Sequence, residues 1–279
     1  MLLRAPAKLN LCLYLGQTRG DGLHELCSLF EPLELADLIE VSPAERDEVV
    51  CPGVSGENLA ARALAGLRER GWEREPLRVE IEKKVPVAAG LGGGSGDAAA
   101  VLRLAAGEVA DLPQLAAELG ADVPSQLRPG LALVRGAGEL VEPLPDPAEH
   151  SAVLLPGGGG LSTAAVFAEC DRLGLGRPGA ELEELAGRLR QTAGAGASPL
   201  DYPELLVNDL EPAARSLRPD VGEALDALRD AGAPLAILSG SGPTAVGLFP
   251  DLAAAEAAAG LLATEEAIVC AAGRARLTP

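Results

Sequence analysis

PVAAGLGGGSGDAAA, residues 86–100, decides how this chain is read. The stretch before it alternates apolar residues at Leu77, Val79 and Ile81 and reads as a strand, while the alanine-rich segment after it reads as a helix. Strand, glycine run and helix in that order gather unhindered backbone N–H groups at a helix N-terminus, where the dipole favours anions. Pro86, Val87, Ala88, Ala89, Gly90, Leu91, Gly92, Gly93, Gly94, Ser95 and Gly96 are therefore the candidate cradle of a nucleotide polyphosphate. Gly92, Gly93 and Gly94 have no Cβ to hold a phosphate off the main chain, and Ser95 adds a hydroxyl donor.

Glycine runs serve several ends. A Walker A loop needs Lys-Ser or Lys-Thr after its glycines, and none follows here. The dinucleotide pattern G-x-G-x-x-A matches at Gly94, Gly96 and Ala99 and again at Gly240, Gly242 and Ala245. Two matches in a chain rich in Gly and Ala carry little, because that motif belongs near the start of a βαβ unit with an acidic residue after the second strand. A purely structural turn is the remaining alternative.

The chain has 279 residues, more than one ordinary core of about 100–150 residues needs, so two domains are expected. Hydrophobic residues make up 48% and aromatics 2%, which leaves the core to Leu, Val and Ala. A formal charge of -18 with no basic stripe argues against nucleic acid or an anionic membrane as partner. It does not argue against an anionic substrate, since screening confines the global field to about 8 Å and local donors decide. Five cysteines without CxxC spacing point to reduced thiols in a cytoplasmic protein, and two histidines make a zinc site improbable. The first residues, MLLRAPAKLN, are too short in apolar length for a signal peptide, and no run approaches the roughly 20 apolar residues of a membrane span.

Along the chain, residues 1–50 read as short strands, with KLNLCLYLG alternating, TRGDGLH turning and 26–41 returning. SGENLAARALAGLRERG reads as a helix ended by Gly71, and a further helix is expected over Pro113–Leu119. GLALVRGAGELVEPLPDP reads as a hairpin closing on Pro143, Pro145 and Pro147, which sets the expected domain boundary: 1–147 and 148–279. Beyond it, strands at SAVLLP, LAILSG, TAVGLF and AIVCAAG alternate with helices near 163–173, 180–191, 220–231 and 251–263. The pattern is α+β with an antiparallel sheet.

PAKLN at 6–10, the glycine run, and LSGSGPTAVGLF at 238–249 stand in the order and at the separations found in the GHMP kinases, which this chain resembles. RGDGLH at 19–24, GADVP at 120–124, STAAVF at 162–167 and NDLE at 208–211 resemble the branch acting on a cytidine-diphosphate-linked methylerythritol. The resemblance spans nearly the whole chain. It implies a ribosomal-protein-S5-type N-terminal domain, a ferredoxin-like C-terminal domain and an active site in the cleft between them. It implies ATP and Mg²⁺ as cofactors, and phosphorylation of the 2-hydroxyl of that small molecule on the non-mevalonate isoprenoid route. Another GHMP kinase acting on a small alcohol and a noncatalytic nucleotide-binding protein are the alternatives.

The resemblance also assigns roles to particular residues. Asp122 becomes the group that accepts the hydroxyl proton and Lys8 its cationic neighbour; taken singly, they read as a helix cap and a solvated strand charge. Asn10, Gly240, Ser241 and Gly242 go to the acceptor side, although SGSGPT could equally be a tight turn that lets two domains approach. Asp97 is either a first-turn cap or a Mg²⁺ ligand. Lys83 and Lys84 reach the nucleotide or are solvated strand-end charges. His24 reads the cytosine edge, and Phe167 stacks on one face of the base. Three positions depart from the family's habit: Leu23 replaces an aromatic on the other face of the base, Ser95-Gly96-Asp97 lacks one hydroxyl, and Ser125-Gln126 replaces two apolar residues.

Overall fold

The computed structural model describes residues 1–54, 56–264 and 266–278. Two long antiparallel strands, β1 (Leu2–Thr18) and β2 (His24–Pro43), run through the N-terminal half where shorter ones were expected. Their length was hidden because residues 5–16 are buried without interruption, so polar–apolar alternation is lost where both faces are covered. Register shifts between Pro6 and Lys8 and between Asn10 and Cys12 let β1 continue past a proline that has no N–H to donate.

The second half of β2 pairs with β4 (Leu77–Glu82), which also pairs in parallel with β3 (Glu48–Val50). The first half pairs with β5 (Ala132–Gly136), and that strand forms a hairpin with β6 (Leu140–Pro143). On one face lie α1 (Leu59–Glu69), α2 (Gly93–Arg103) and α3 (Leu112–Leu119), which bury Ile39, Val79 and Ile81 against Leu67, Trp72 and Leu102. Asn58 caps α1 by accepting from the Ala60 amide, and Gly71 at φ +76° follows it; Ser55 of the expected SGEN start lies outside the described residues. The alanines of α2 let it lie flat on β1, and a Cβ on Gly96 would stand 3.0 Å from the Pro6 carbonyl oxygen.

The C-terminal half forms an antiparallel sheet in the order β10 (Ile268–Ala272), β7 (His150–Leu155), β9 (Ala245–Phe249), β8 (Leu235–Leu238). Helices α5 (Thr163–Leu173), α6 (Gly179–Ala193), α7 (Glu211–Leu217) and α8 (Pro219–Asp230) separate β7 from β8, and α9 (Leu252–Ala259) separates β9 from β10. Read in chain order, this is the expected ferredoxin-like arrangement. The two sheets join where Ala272 pairs with Leu33. Beneath the join, α6 packs on the N-terminal strands, and one core runs from Leu9, Leu29 and Leu33 to Leu182, Leu189, Tyr202 and Leu248. Among the described residues no helix is long and apolar enough to cross a membrane.

Candidate active site

The glycine loop stands between two cavities. One, of about 310 Å³, is lined by residues 86–95 together with Lys83, Asp97 and the start of α1; the other, of about 790 Å³, opens between the halves of the molecule. Gly90, Gly92 and Ser95 line both. A group held in the smaller cavity can therefore meet one held in the larger across a wall of backbone and one hydroxyl.

In the smaller cavity, α2 is preceded at its N-cap position by Gly92, which has φ +66° and no side chain to cap the helix. The first N–H groups of α2 are left without intrahelical acceptors, the arrangement that attracts an anion. Gly94 is exposed, and a Cβ there would meet only Leu59 Cδ1, at 3.8 Å. Gly93 differs: its Cβ direction runs into Val85 Cγ1 at 3.0 Å and Lys83 Nζ at 3.2 Å. Gly96 lines neither cavity, because one turn into α2 it is buried against β1.

A buried cluster fixes the loop's approach. Asp37 Oδ1 accepts from the amides of Lys84 and Val85, at 2.6 and 2.8 Å. Lys83 Nζ bridges Asp37 and Asp97, reaching Asp97 Oδ2 at 2.8 Å. Burial opposes the Lys83 charge, but the Asp97 and Asp37 carboxylates outweigh it and hold its pKa above the ordinary lysine value. Burial, with the Asp37 charge in support, pushes the Asp97 pKa up against the pull of Lys83. Lys83 is thus an internal counter-ion, whereas Lys84 is exposed and pairs with Glu82. Asp97 is no cap either, and its Oδ1 is buried without a hydrogen-bond partner.

In the larger cavity, the two β1 bulges flank Lys8–Asn10 and turn both side chains to one side. Freed from the ladder, the Lys8 amide donates to the Leu91 carbonyl at 2.9 Å. Lys8 Nζ donates to Asn10 Oδ1 at 2.6 Å, lies 3.2 Å from Asp122 Oδ2, and sits 4.9 Å from the centre of the Phe30 ring. The Lys8 side chain is 5% exposed and that of Asp122 31%. Asp122 stands before the short helix α4 (Val123–Gln126) but its side chain makes no capping bond; Ser125 Oγ instead donates to its carbonyl. The carboxylate is left facing the cavity and the lysine.

The second glycine motif closes this site from the C-terminal half. A Cβ on Gly90 would stand 2.5 Å from the Ser239 carbonyl oxygen, and one on Gly240 3.1 Å from Asn10 Oδ1. Ser239 Oγ and Thr244 Oγ1 donate to the carbonyls of Gly90 and Ala89. Gly240 and Ser241 line the cavity, with Ser241 Oγ 2.9 Å from Thr163 Oγ1. Gly242 does not line it, since it turns inward onto Leu238. Asn208 holds the turn by donating to the Leu238 and Gly240 carbonyls, both at 2.8 Å. Its neighbour Asp209 accepts from the Leu15 amide and binds Arg177, so NDLE ties the end of β1 to this motif.

At the far end of the cavity, Leu23, His24 and Phe167 come together. The His24 ring lies 5.1 Å from that of Phe167, tilted by 40°. Its Nε2 is 2.8 Å from Asp171 Oδ1 and 3.2 Å from Thr18 Oγ1. Leu23 is 53% exposed on the RGDG turn, where its amide donates to Asp21 Oδ1. Asp37 and Asp171 escaped sequence reasoning. Asp37 sits inside a strand pattern, and Asp171 falls on a helix whose face toward the cavity depends on the second domain's placement.

Fold and cavities together are those of a small-molecule kinase of the GHMP class. Residues 58–130 match the family described as GHMP kinases N terminal domain, and residues 181–264 that described as GHMP kinases C terminal. The chain is 40% identical over 275 residues to 4-diphosphocytidyl-2-C-methyl-D-erythritol kinase of Kineococcus radiotolerans, covering 90% of this chain and 82% of that protein. It is 41% identical over 263 residues to the enzyme of that name from Thermobifida fusca, covering 86% and 84%. A crystal structure of 4-(cytidine 5'-diphospho)-2C-methyl-D-erythritol kinase superposes with a TM-score of 0.80 at 36% identity, covering 99% of this chain and all of that one. The chain belongs to the 4-diphosphocytidyl-2-C-methyl-D-erythritol kinase family, whose members are ATP-dependent phosphotransferases with an alcohol acceptor.

Proposed function

We propose that the chain transfers the γ-phosphoryl group of ATP to the 2-hydroxyl of 4-diphosphocytidyl-2-C-methyl-D-erythritol, a step toward isoprenoid precursors. The observation that carries this reading is the Lys8–Asp122 pair, 3.2 Å apart in the larger cavity, with Lys8 packed over Gly92, one of the residues that line both cavities. ATP lies in the smaller cavity with its phosphates on residues 90–95, and the acceptor fills the larger one. Residues 1–147 and 148–279 are then the two lobes that enclose it.

Asp122 orients the acceptor hydroxyl and takes its proton late, as the oxygen–phosphorus bond forms and the bond to the β-phosphate oxygen breaks to release ADP. Lys8 keeps Asp122 ionised and stabilises charge on the acceptor oxygen and the transferred group. Asn10 holds Lys8 in place, and Gly240 and Ser241 close over the reacting centre. The unpartnered Oδ1 of Asp97, at the lining of the smaller cavity, fits a Mg²⁺ ion, which Asp97 would hold there. When bound, the ion neutralises triphosphate charge.

Incubation with ATP, Mg²⁺ and the cytidylated acceptor, followed by coupled ADP detection and phosphorus NMR, tests the proposal. The expected result is stoichiometric ADP and a new phosphomonoester at the 2-position. Turnover of homoserine or mevalonate instead would point to a different GHMP acceptor, and ATP binding without transfer to any alcohol would point to a noncatalytic protein.

A further inference from the structure

We propose that Asp171 fixes the tautomer of His24 and thereby selects cytosine over uracil in the acceptor; this rests on the reading that the acceptor is a cytidine diphosphate conjugate. Asp171 Oδ1 lies 2.8 Å from His24 Nε2, and the Phe167 ring flanks the imidazole at 5.1 Å. All three residues line the larger cavity, and the His24 side chain is 8% exposed. An ionised carboxylate only accepts hydrogen bonds, so the proton of a neutral ring must sit on Nε2. Thr18 Oγ1, 3.2 Å from the same nitrogen, can donate or accept and does not decide the matter.

With Nε2 protonated, Nδ1 is left as a bare acceptor, and among the described residues it has no protein hydrogen bond. The Watson–Crick edge of cytosine carries an amine that donates, whereas uracil carries a carbonyl that accepts at the same position. Nδ1 therefore pairs with cytosine and repels uracil. Asp171 touches neither base nor reacting atoms. It is a positioning residue, acting through the ring it holds.

Two measurements on the full-length protein test this. The chain has two histidines, so long-range proton–nitrogen NMR spectra can be assigned with a single His150→Gln control. The wild type is expected to show the Nε2–H form of His24, and Asp171→Asn, whose amide can donate or accept, a mixture with the Nδ1–H form. In parallel, kcat/KM is measured for the cytidylated acceptor and its uridylated analogue. Asp171→Asn should lower the ratio of the two by at least about tenfold, chiefly through a fall in KM for the uridylated analogue, because the ring can then present Nδ1–H to the uracil carbonyl. Asp171→Leu should lower it as well, since the ring is then equally free to choose. An Nδ1–H form in the wild type would overturn the proposal, as would an unchanged ratio with KM rising equally for both compounds. Failure of the acceptor reading shows separately, as no turnover of either compound by the wild type, and removes the selection proposal with it.

Discussion

Gly92 leaves the slot that Lys8 fills: a Cβ on Gly92 would stand 2.7 Å from Lys8 Cγ and 3.0 Å from its Cε. The residue that opens the phosphate-cradling helix is thus also the one over which the acceptor-side cation lies. Gly92→Ala should displace Lys8 and strain a backbone at φ +66°, costing about 1–2 kcal/mol in stability. Misplacing Lys8 should lower kcat by about 10²-fold. A crystal structure of the variant with steady-state kinetics checks both; an unmoved Lys8 with normal turnover would break the link.

Asp122 serves the acceptor and not the nucleotide, because it lines the larger cavity alone. Asp122→Asn should therefore lower kcat by about 10²–10⁴-fold while the Kd for ATP stays within a few fold. Calorimetric ATP titration beside turnover measurements separates the two, and wild-type-like turnover would remove Asp122 from the mechanism.

The phosphate cradle is best probed at Gly94. Its Cβ direction is open, so Gly94→Val should leave the melting temperature within a few degrees yet place a branched side chain in the nucleotide cavity and abolish ATP binding. Gly93→Val should instead melt early, because its side chain meets Val85 and Lys83 inside the fold. ATP binding retained by Gly94→Val would move the phosphates elsewhere.

A pH dependence follows from the buried Glu31–His150 pair at the junction of the sheets. His150 Nδ1 faces the Ala148 carbonyl at 2.9 Å and Nε2 faces Glu31 Oε2 at 3.1 Å, so both nitrogens act as donors and the ring carries charge. Burial opposes that charge, but Glu31 and the Ala148 carbonyl outweigh it and raise the His150 pKa above the ordinary value. A raised folded pKa gives stability that is fully present below the unfolded pKa of about 6.5 and lost as pH rises through the folded one. The stability difference between wild type and His150→Gln, from urea melts, should therefore shrink as pH rises above about 6.5. A difference constant with pH would mean that the pair is neutral.

The sequence announced the glycine loop, nearly every helix and the order of the C-terminal strands, because each has local signals: Gly71 past α1, Ser162 before α5, and prolines after β6. It did not announce the length of β1 and β2, whose alternation disappears when both faces are buried. Lys8 and Asp122 were joined by the family resemblance and by no local signal, because their contact depends on two bulges and on a helix of four residues. Lys83 read as either a nucleotide contact or a solvated charge, and its role as a buried counter-ion was hidden because its partners Asp37 and Asp97 come from other elements. Asn208 and Asp209 were motif without mechanism until the turns that they tie together were in place.

Phe167 divides two explanations of the cavity's far end. It is half-buried, packed beside the cluster of Leu13, Leu15 and Val166 on one side and His24 on the other, so it is neither free nor a core residue. If its open face stacks on cytosine, Phe167→Ala should raise the acceptor KM by roughly 5- to 150-fold, as expected for about 1–3 kcal/mol of stacking, with little change in the KM for ATP. kcat should hold, because the base is remote from the reacting hydroxyl and is bound alike in ground and transition states. Leu23, 53% exposed on the same cavity, has room for a larger side chain, and Leu23→Tyr should lower the acceptor KM by supplying a second ring. Acceptor KM and melting temperature measured on both variants decide it: an unchanged KM with a large loss of stability in Phe167→Ala would make the ring packing, and the cytosine would have to lie elsewhere.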